Sequence, residues 1–401
     1  MSYLDKLLEG FDIEWKPLGE LAEIIRGVRI TKKELLTNGK YPVVSGGTGY
    51  MGYTDQYNRE ENTITIAQYG TAGYVKWQTE KFWANDICYS VNPNIRIISN
   101  RYLYFHLINK QQYLYEISNR SAIPFSIERE KILNIHIPVP CPNNPKKSLE
   151  MQNKIVRILD NFTELTAELT AELTAELTAR KNQYIFYREQ FFSFNEVQIK
   201  RELLGEIGEF QRGKRFVKDD LISEGVPCIH YGEMYTHYGT WANNSKSFLS
   251  QELVERKNLR VAENSDVVIV AAGETIEDIG LGTAWLGDEG VVIHDACFSF
   301  RSQLNPKYVA YFTRTKQFHD QIKKHISSGK ISAINARGLE KVLIPVPSPE
   351  EQERIVTILD KFDILTTSII EGLPKEIELR KKQYEYYRDL LLTFPKNNIE
   401  L

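Results

Sequence analysis

Cysteine is scarce in this chain: four in 401 residues, Cys88, Cys141, Cys228 and Cys297, with no CxxC pair among them. A zinc ribbon or disulfide framework is therefore not expected, and a reducing cytoplasm is the compartment that fits. Long apolar runs are missing as well. No stretch approaches the roughly 20 residues that span a bilayer, so no membrane partner is expected. The opening residues, Met1-Ser2-Tyr3-Leu4-Asp5-Lys6, lack the basic start and apolar core of a signal peptide. Nor is there an excess of cations: 50 Lys and Arg stand against 53 Asp and Glu, a net charge of −3. A nucleic-acid ligand would have to find its cations gathered on one surface or lent by a partner.

Motifs for chemistry are equally thin. The seven histidines, His106, His230, His294 and His319 among them, show no metal-ligand spacing, and no metal site is expected. Gly208 to Gly213 followed by Lys214 has the spacing of a phosphate-binding loop. Arg215, however, stands where Ser or Thr must hold Mg²⁺, and a turn between strands is the simpler account. Asn305-Pro306-Lys307-Tyr308 faintly resembles the Asn-Pro-Pro-Tyr loop of amino-methyltransferases but lacks the second Pro; helix capping explains it. Glu255-Arg256-Lys257 has the ExK of a nuclease core, on what reads as a charged helix. No Ser-His-Asp or Cys-His set has support, and no catalytic residue is expected.

What the chain does contain is repetition. Thr166 to Leu177 reads TAEL three times, with Leu165, Leu169, Leu173 and Leu177 four apart. On a helix of about 3.6 residues per turn that stripe winds slowly round the axis. Residues 148–194 match 348–394 at a constant offset of 200: KIVRILDNF (154–162) with RIVTILDKF (354–362), and RKNQYIFYREQFFSF (180–194) with RKKQYEYYRDLLLTF (380–394). Leu165, Leu169, Leu173 and Leu177 fall opposite Leu365, Ile369, Leu373 and Ile377. Two sister helices of about 45 residues are predicted, each roughly 65 Å long if unbroken. Helices of that length need a partner for their apolar stripe, and the simplest partner is the sister. Ser348-Pro349-Glu350-Glu351 predicts a capping box with Pro at the first helical position, and Ser148 the matching N-cap. Gly372 and Pro374 predict a kink or break in the second copy.

The flanking regions repeat less closely. Leu18-Gly19-Glu20 with Arg26-Gly27 and Arg29 recurs as Leu204-Gly205-Glu206 with Arg212-Gly213 and Arg215; Asp86 to Ser90 recurs as Asp295 to Ser299; Ile137 to Pro140 recurs as Ile344 to Pro347. Tyr3 to Leu8 resembles Tyr187 to Phe192, as if the chain began where a unit's helix ends. That predicts a circular arrangement with a pseudo-twofold axis. Strands are predicted at 63–70, 73–77, 87–91, 226–234, 266–273 and 289–300, and helices at 100–119, around 127–133, and at 306–326. The fold class expected is mixed α/β: two pseudo-symmetric globules, 1–147 and 195–347, separated by a long antiparallel helix pair, 148–194 and 348–401.

Polar, glycine-containing loops in these globules are the candidate nucleic-acid contacts, because such residues approach phosphates and read base edges. In the first globule they are Ser45, Thr48, Tyr50, Gln68, Tyr69, Thr71, Lys76, Arg120 and Ser121. In the second they are His230, Tyr231, Glu274, Thr275, Ser328, Lys330 and Ser332.

The combined pattern resembles the specificity subunits of type I restriction-modification enzymes over essentially the whole chain, and the TAEL repeats resemble the IC branch of that family. The resemblance implies two target recognition domains, each reading one half of a bipartite, asymmetric site on double-stranded DNA. It implies that the helix pair sets the spacer between half-sites and docks two methyltransferase subunits, to which two restriction (motor) subunits add. It also implies no cofactor for this subunit, with S-adenosylmethionine, ATP and Mg belonging to the partners. Two other readings remain open at this point: a non-catalytic two-domain protein-interaction scaffold, and a single-chain nuclease or methyltransferase.

Overall fold

A computed structural model describes residues 12–194, 199–327, 329, 331–368 and 371–394. The echo at Tyr3 to Leu8 lies outside the described residues, as do Ile369, Ser328 and Lys330. The chain divides into two compact units: Met1–Glu172 with Ile377–Leu401, and Leu173–Glu376.

In the first unit, a four-stranded antiparallel sheet runs in the order Ala22–Arg26, Cys88–Pro93, Thr63–Ala67, Val75–Gln78, its two central strands buried over most of their length. A smaller sheet sets Tyr41–Val44 between an antiparallel Tyr50–Thr54 and a parallel Trp83–Ala84. Ile13–Pro17 pairs antiparallel with His136–Pro140, so the Ile-Pro-Val-Pro segment is a strand. The helix predicted over 100–119 is two, Asn100–Asn109 and Gln111–Glu116, with Lys110 at φ −93° and ψ 17° between them.

The second unit repeats this plan with additions. Its main sheet runs Gly208–Arg212, Cys297–Ser302, Val267–Val270, Gly282–Trp285, Trp241–Ala242. A second sheet runs Ser247–Leu249, Val226–Ile229, Val291–Ile293, Val261–Ala262. Gly208–Arg212 is thus a paired strand, and the turn predicted there is corrected. Gly208 makes this possible: a Cβ there would lie 2.5 Å from the carbonyl of Arg301 on the neighbouring strand. The strand predicted over 226–234 ends at Ile229 and gives way to a helical turn, Glu233–Thr236; the bend between them is closed by the His230 NH donating to the Glu233 carboxylate (3.0 Å) and the Glu233 NH donating to the His230 carbonyl (2.9 Å). The helix predicted over 306–326 is split: Pro306–Phe312 and Lys316–Ile322 flank buried Thr313 and Thr315, whose hydroxyls bond back to Ala310 and Phe312 carbonyls. Asn305 caps the first of these, its Oδ1 accepting from the NH groups of Lys307 and Tyr308.

The first sister segment is one helix, Pro145–Phe191, of 47 residues. It starts three residues before the expected cap. Asn144 Oδ1 accepts the Lys147 NH (3.1 Å), leaving Ser148 inside the helix, where it is buried. The second segment is two helices, Pro349–Thr367 and Leu373–Leu392. Ser348 caps it as predicted, accepting from Glu351 NH, but the Glu351 carboxylate is forked by Arg354 at 2.7 Å and does not complete the box. The predicted break is present. A Cβ on Gly372 would sit 2.5 Å from the Ile364 carbonyl, so the chain can turn there only through glycine.

Each unit fastens its helix start to its globule in the same way. In the first, buried Gln152 accepts from Ser99 NH (2.7 Å), Tyr102 OH donates to Pro138 O (3.0 Å) and Arg101 pairs with Asp160 (2.8 Å). In the second, Gln352 accepts from Asn305 NH (2.9 Å), Tyr308 OH donates to Pro345 O (3.0 Å) and Lys307 pairs with Asp360 (2.7 Å). Ile155 and Leu159 are buried in one core, Ile355 and Leu359 in the other. Each such side chain contributes about 1.5–3 kcal/mol by leaving water.

Within each unit the helical segments run antiparallel. Phe162 stacks on Tyr387 (5.8 Å) and Thr163 meets Tyr384 (3.0 Å) in the first; Phe362 packs on Tyr187 (5.6 Å) and Arg354 lies over Phe191 (5.7 Å) in the second. The expected Leu stripe needs correcting. Leu165 is 50% exposed; Leu169, Leu173, Leu177, Leu365 and Ile377 are half-buried; only Leu373 of the described members is buried. A four-residue repeat drifts off any one contact line, and aromatic side chains make the firm contacts.

Candidate nucleic-acid interface

Three loops of the first unit are stitched together. Thr71 sends both its NH (2.9 Å) and its hydroxyl (2.7 Å) to the Gly46 carbonyl. Gly70 NH reaches Phe125 O (3.0 Å), and Asn119 and Ser126 exchange backbone hydrogen bonds. Gly70 has φ +79° and allows that close approach: a Cβ there would stand 2.9 Å from Gly46 O. The candidates Ser45, Tyr69, Thr71, Arg120 and Ser121 are thus brought together by backbone bonding across more than 70 residues of chain.

Thr48, Tyr50 and Lys76 form a second part of that face. They line one hollow with Ser45, but it holds only about 10 Å³, room for a single water at most. The Lys76 ammonium lies 4.5 Å over the Tyr50 ring, and burial together with Glu80 raises the Tyr50 phenol above its usual range. Arg120 is held by the Tyr115 carbonyl and sits over the Tyr115 and Phe125 rings. Gln68 is tied at its backbone, to Ile87 and Ile127.

The second unit has a true cleft, of about 400 Å³. His230, Tyr231 and Glu274 line it together with Arg212, Arg215, Lys218 and His294, which were not among the candidates. Ser332 is buried one layer back, paired with Gly273 across a two-residue ladder. The Thr275 hydroxyl is spent on the Asp278 carboxylate. His294 Nε2 donates to Phe216 O (2.9 Å), while its Nδ1 lies within reach of both the Ala296 NH (3.1 Å) and the Asp295 carboxylate (3.0 Å). Burial pushes the pKa of His294 down, and does the same to His230, whose ring lies 4.9 Å away.

The two sites share one scaffold. Parallel strand pairs end at Val44 and Ala84 in the first unit and at Ile229 and Ile293 in the second. The next residues are Ser45 and Asn85 in one, His230 and His294 in the other. Gly27 NH donates to Cys88 O and Gly213 NH to Cys297 O, both at 3.0 Å. Arg26 Nε donates to Asp86 O (2.6 Å), and Arg212 Nε to Asp295 O (2.9 Å). The sequence signal for the missed cations was the repeated Arg-Gly-X-Arg itself. Among the described residues no group of three or more His, Cys, Asp or Glu could hold a metal ion, and no helix is long and apolar enough to cross a membrane.

Comparison with known proteins supplies a context. The model of the type I restriction modification DNA specificity domain matches twice, over residues 12–179 and 197–379. The chain is 35% identical to the type I restriction enzyme EcoR124I/EcoR124II specificity subunit of Escherichia coli, over 99% of this chain and 98% of that one. It is 34% identical to a putative type I restriction enzyme specificity subunit of Haemophilus influenzae, over 98% of each. Two solved structures share the fold. One comes from work on complex assembly and conformational transition of the type I R-M system (TM-score 0.68, 16% identity, 96% of this chain and 98% of that one). The other is the HsdS subunit of Thermoanaerobacter tengcongensis (TM-score 0.53, 15% identity, 95% of each).

Proposed function

Because the chain belongs to the type I restriction modification DNA specificity family, we propose that it is the non-catalytic subunit that selects the DNA sequence for a methyltransferase and endonuclease complex. Each unit reads one half of a bipartite site on double-stranded DNA. The observation that carries this reading is a single scaffold built twice with different tips: Ser45 and Asn85 at the strand ends of one unit, His230 and His294 at those of the other. One scaffold keeps the approach to the duplex, and different tips make the half-sites differ, so the site is asymmetric.

The contacts proposed are Ser45, Thr48, Tyr50, Gln68, Tyr69, Thr71, Lys76, Arg120 and Ser121 in the first unit. In the second they are His230, Tyr231 and Glu274, with Ser328 and Lys330; Thr275, whose hydroxyl Asp278 takes, and the buried Ser332 are set aside. Two methyltransferase subunits dock on the helices, and two restriction subunits complete the assembly in the cytoplasm. Docking is supported by Phe186 and Tyr386, which stand at matching helix positions and are 61% and 64% exposed. S-adenosylmethionine, ATP and Mg serve the partners.

The test is selection from randomised duplex DNA by this chain together with its cognate methyltransferase subunit. A two-part motif with a fixed gap is expected. Failure to enrich any sequence would overturn the reading and favour a protein scaffold; methylation or cleavage by the purified chain alone would overturn its non-catalytic part.

A further inference from the structure

One seven-residue pattern occurs in both units and is not explained by packing alone. Arg26-Gly27-Val28-Arg29-Ile30-Thr31-Lys32 and Arg212-Gly213-Lys214-Arg215-Phe216-Val217-Lys218 share the form Arg-Gly-X-Arg-apolar-X-Lys. In each the apolar residue is buried, at 8% exposure for Ile30 and 0% for Phe216, and the three shared cations are exposed. In each the glycine lies against the end of a core strand. A Cβ would meet Ala84 O and Asn85 O at 2.3 and 2.1 Å in one, Ile293 O and His294 O at 2.4 and 2.2 Å in the other. In each a short 3-10 turn follows, Lys32–Glu34 and Lys218–Asp220, held by a carboxylate that accepts the NH of Thr31 or Val217. The cations therefore have equivalent anchors in both units, two main-chain bonds to the core strands and one turn carboxylate, none of which lies in the differing loops.

These cations also lack carboxylate partners, although Arg26 and Arg212 donate to the carbonyls of Asp86 and Asp295. Many other cations of the chain are paired with carboxylates: Lys81 with Glu60, Arg101 with Asp160, Lys257 with Asp220, Arg301 with Asp266, Lys307 with Asp360. Among the described residues none of Arg26, Arg29, Lys32, Arg212, Arg215 and Lys218 has such a partner within 4.0 Å. No acidic residue occurs between the first and last cation of either pattern. In a chain of net charge −3, two matching groups of exposed cations without carboxylate partners are suited to an anionic ligand. In the second unit they line the same cleft as the base-reading candidates His230 and Glu274.

Resting on the DNA-reading function above, we propose that Arg26, Arg29 and Lys32 in one unit, and Arg212, Arg215 and Lys218 in the other, are matched clamps for the DNA backbone. They hold phosphates without regard to sequence, and the loops beside them supply the reading. The division of labour follows from the geometry. Contacts fixed by the shared scaffold cannot distinguish two different half-sites, and contacts on the differing loops can.

The experiment uses the full chain with its methyltransferase subunit and measures affinity against salt for specific and random duplexes. Arg26 and Arg212 are also bonded to the turn carbonyls of Asp86 and Asp295, so the variants are R29Q/K32Q and R215Q/K218Q, whose folding is checked by melting temperature. Each lost phosphate contact lowers the slope of log K against log salt by about 0.9, and at 0.1 M salt weakens binding roughly eightfold relative to 1 M. Each double variant is expected to lose about 2 in slope and roughly sixtyfold in affinity, equally on both duplexes, with the selected motif unchanged. An unchanged slope with an intact motif overturns the clamps and leaves the parent function standing. An altered motif overturns them too, since the cations would then be reading bases. A loss confined to one unit's variant overturns the matched pair. Absence of any motif with the unaltered chain defeats the parent reading instead.

Discussion

Gly27 and Gly213 sit against carbonyl oxygens of a neighbouring strand end at distances no side chain can share. Gly213→Ala would force its Cβ to within 2.2 Å of His294 O, so the strand end must shift and the Gly213 NH bond to Cys297 O must stretch. A loss of about 2–4 kcal/mol, the scale of overpacking plus a weakened buried hydrogen bond, is expected in urea unfolding, with no loss for Gly239→Ala, where a Cβ meets nothing within 4 Å. His106 makes a second prediction. It is buried against Tyr102 (4.5 Å) and Phe394 (5.7 Å), its Nε2 has no partner, and burial lowers its pKa to about 3. The native state therefore keeps it neutral while the unfolded chain protonates it below about pH 6.5. Its contribution is thus present above that pH and is lost as pH falls from there towards 3. Between pH 7 and pH 5 the loss is about 2 kcal/mol, and a His106→Leu variant should lack that part of the acid sensitivity in matched urea titrations.

At the scale of elements, the long helix and its broken sister are held by a few aromatic contacts. Phe162→Ala removes the stack on Tyr387, and a cost of about 1–3 kcal/mol is expected for a half-buried aromatic. Leu165→Ala, at 50% exposure, should cost well under 1 kcal/mol. Equal losses in thermal unfolding would contradict the aromatic seam. The TAEL run itself is chemically plain and continuous within Pro145–Phe191. Deleting Thr170 to Leu173 removes about 6 Å of helix rise. The proposed function then predicts a shorter preferred gap with both half-sites unchanged, read from the methylated motif. Altered half-sites with the original gap would sink the spacer role.

At the scale of the whole molecule, two copies of one scaffold carry different tips. Exchanging residues 1–147 for the corresponding globule of another family member should change one half-site of the methylated motif and leave the other intact. A change in both halves would contradict independent reading.

Much of this was legible in the sequence because it is periodic or local. The offset of 200 between sister segments is a repeat along the chain, while the cap at Ser348, the Gly372 break, the alternation in 63–67 and the apolar run in 267–270 depend on neighbours within a few residues; each appears where expected. The family followed from the same repeats. Long-range bonding was not legible. Asn144, not Ser148, starts the long helix; Gly208–Arg212 is a strand because Cys297–Ser302 accepts it; and the Leu stripe lies partly in solvent because aromatics nearer the globules take the contacts. The site divided in the same way. Polar loops could be chosen by composition, but composition could not join Thr71 to Gly46, retire Thr275 onto Asp278, or bring Arg215 and Lys218 beside His230. Sequence alone determined that one plan is used twice, since repeats survive as patterns along the chain. Only tertiary structure decided which side chains share a face, since that depends on strand register and on backbone bonds between residues far apart in the chain.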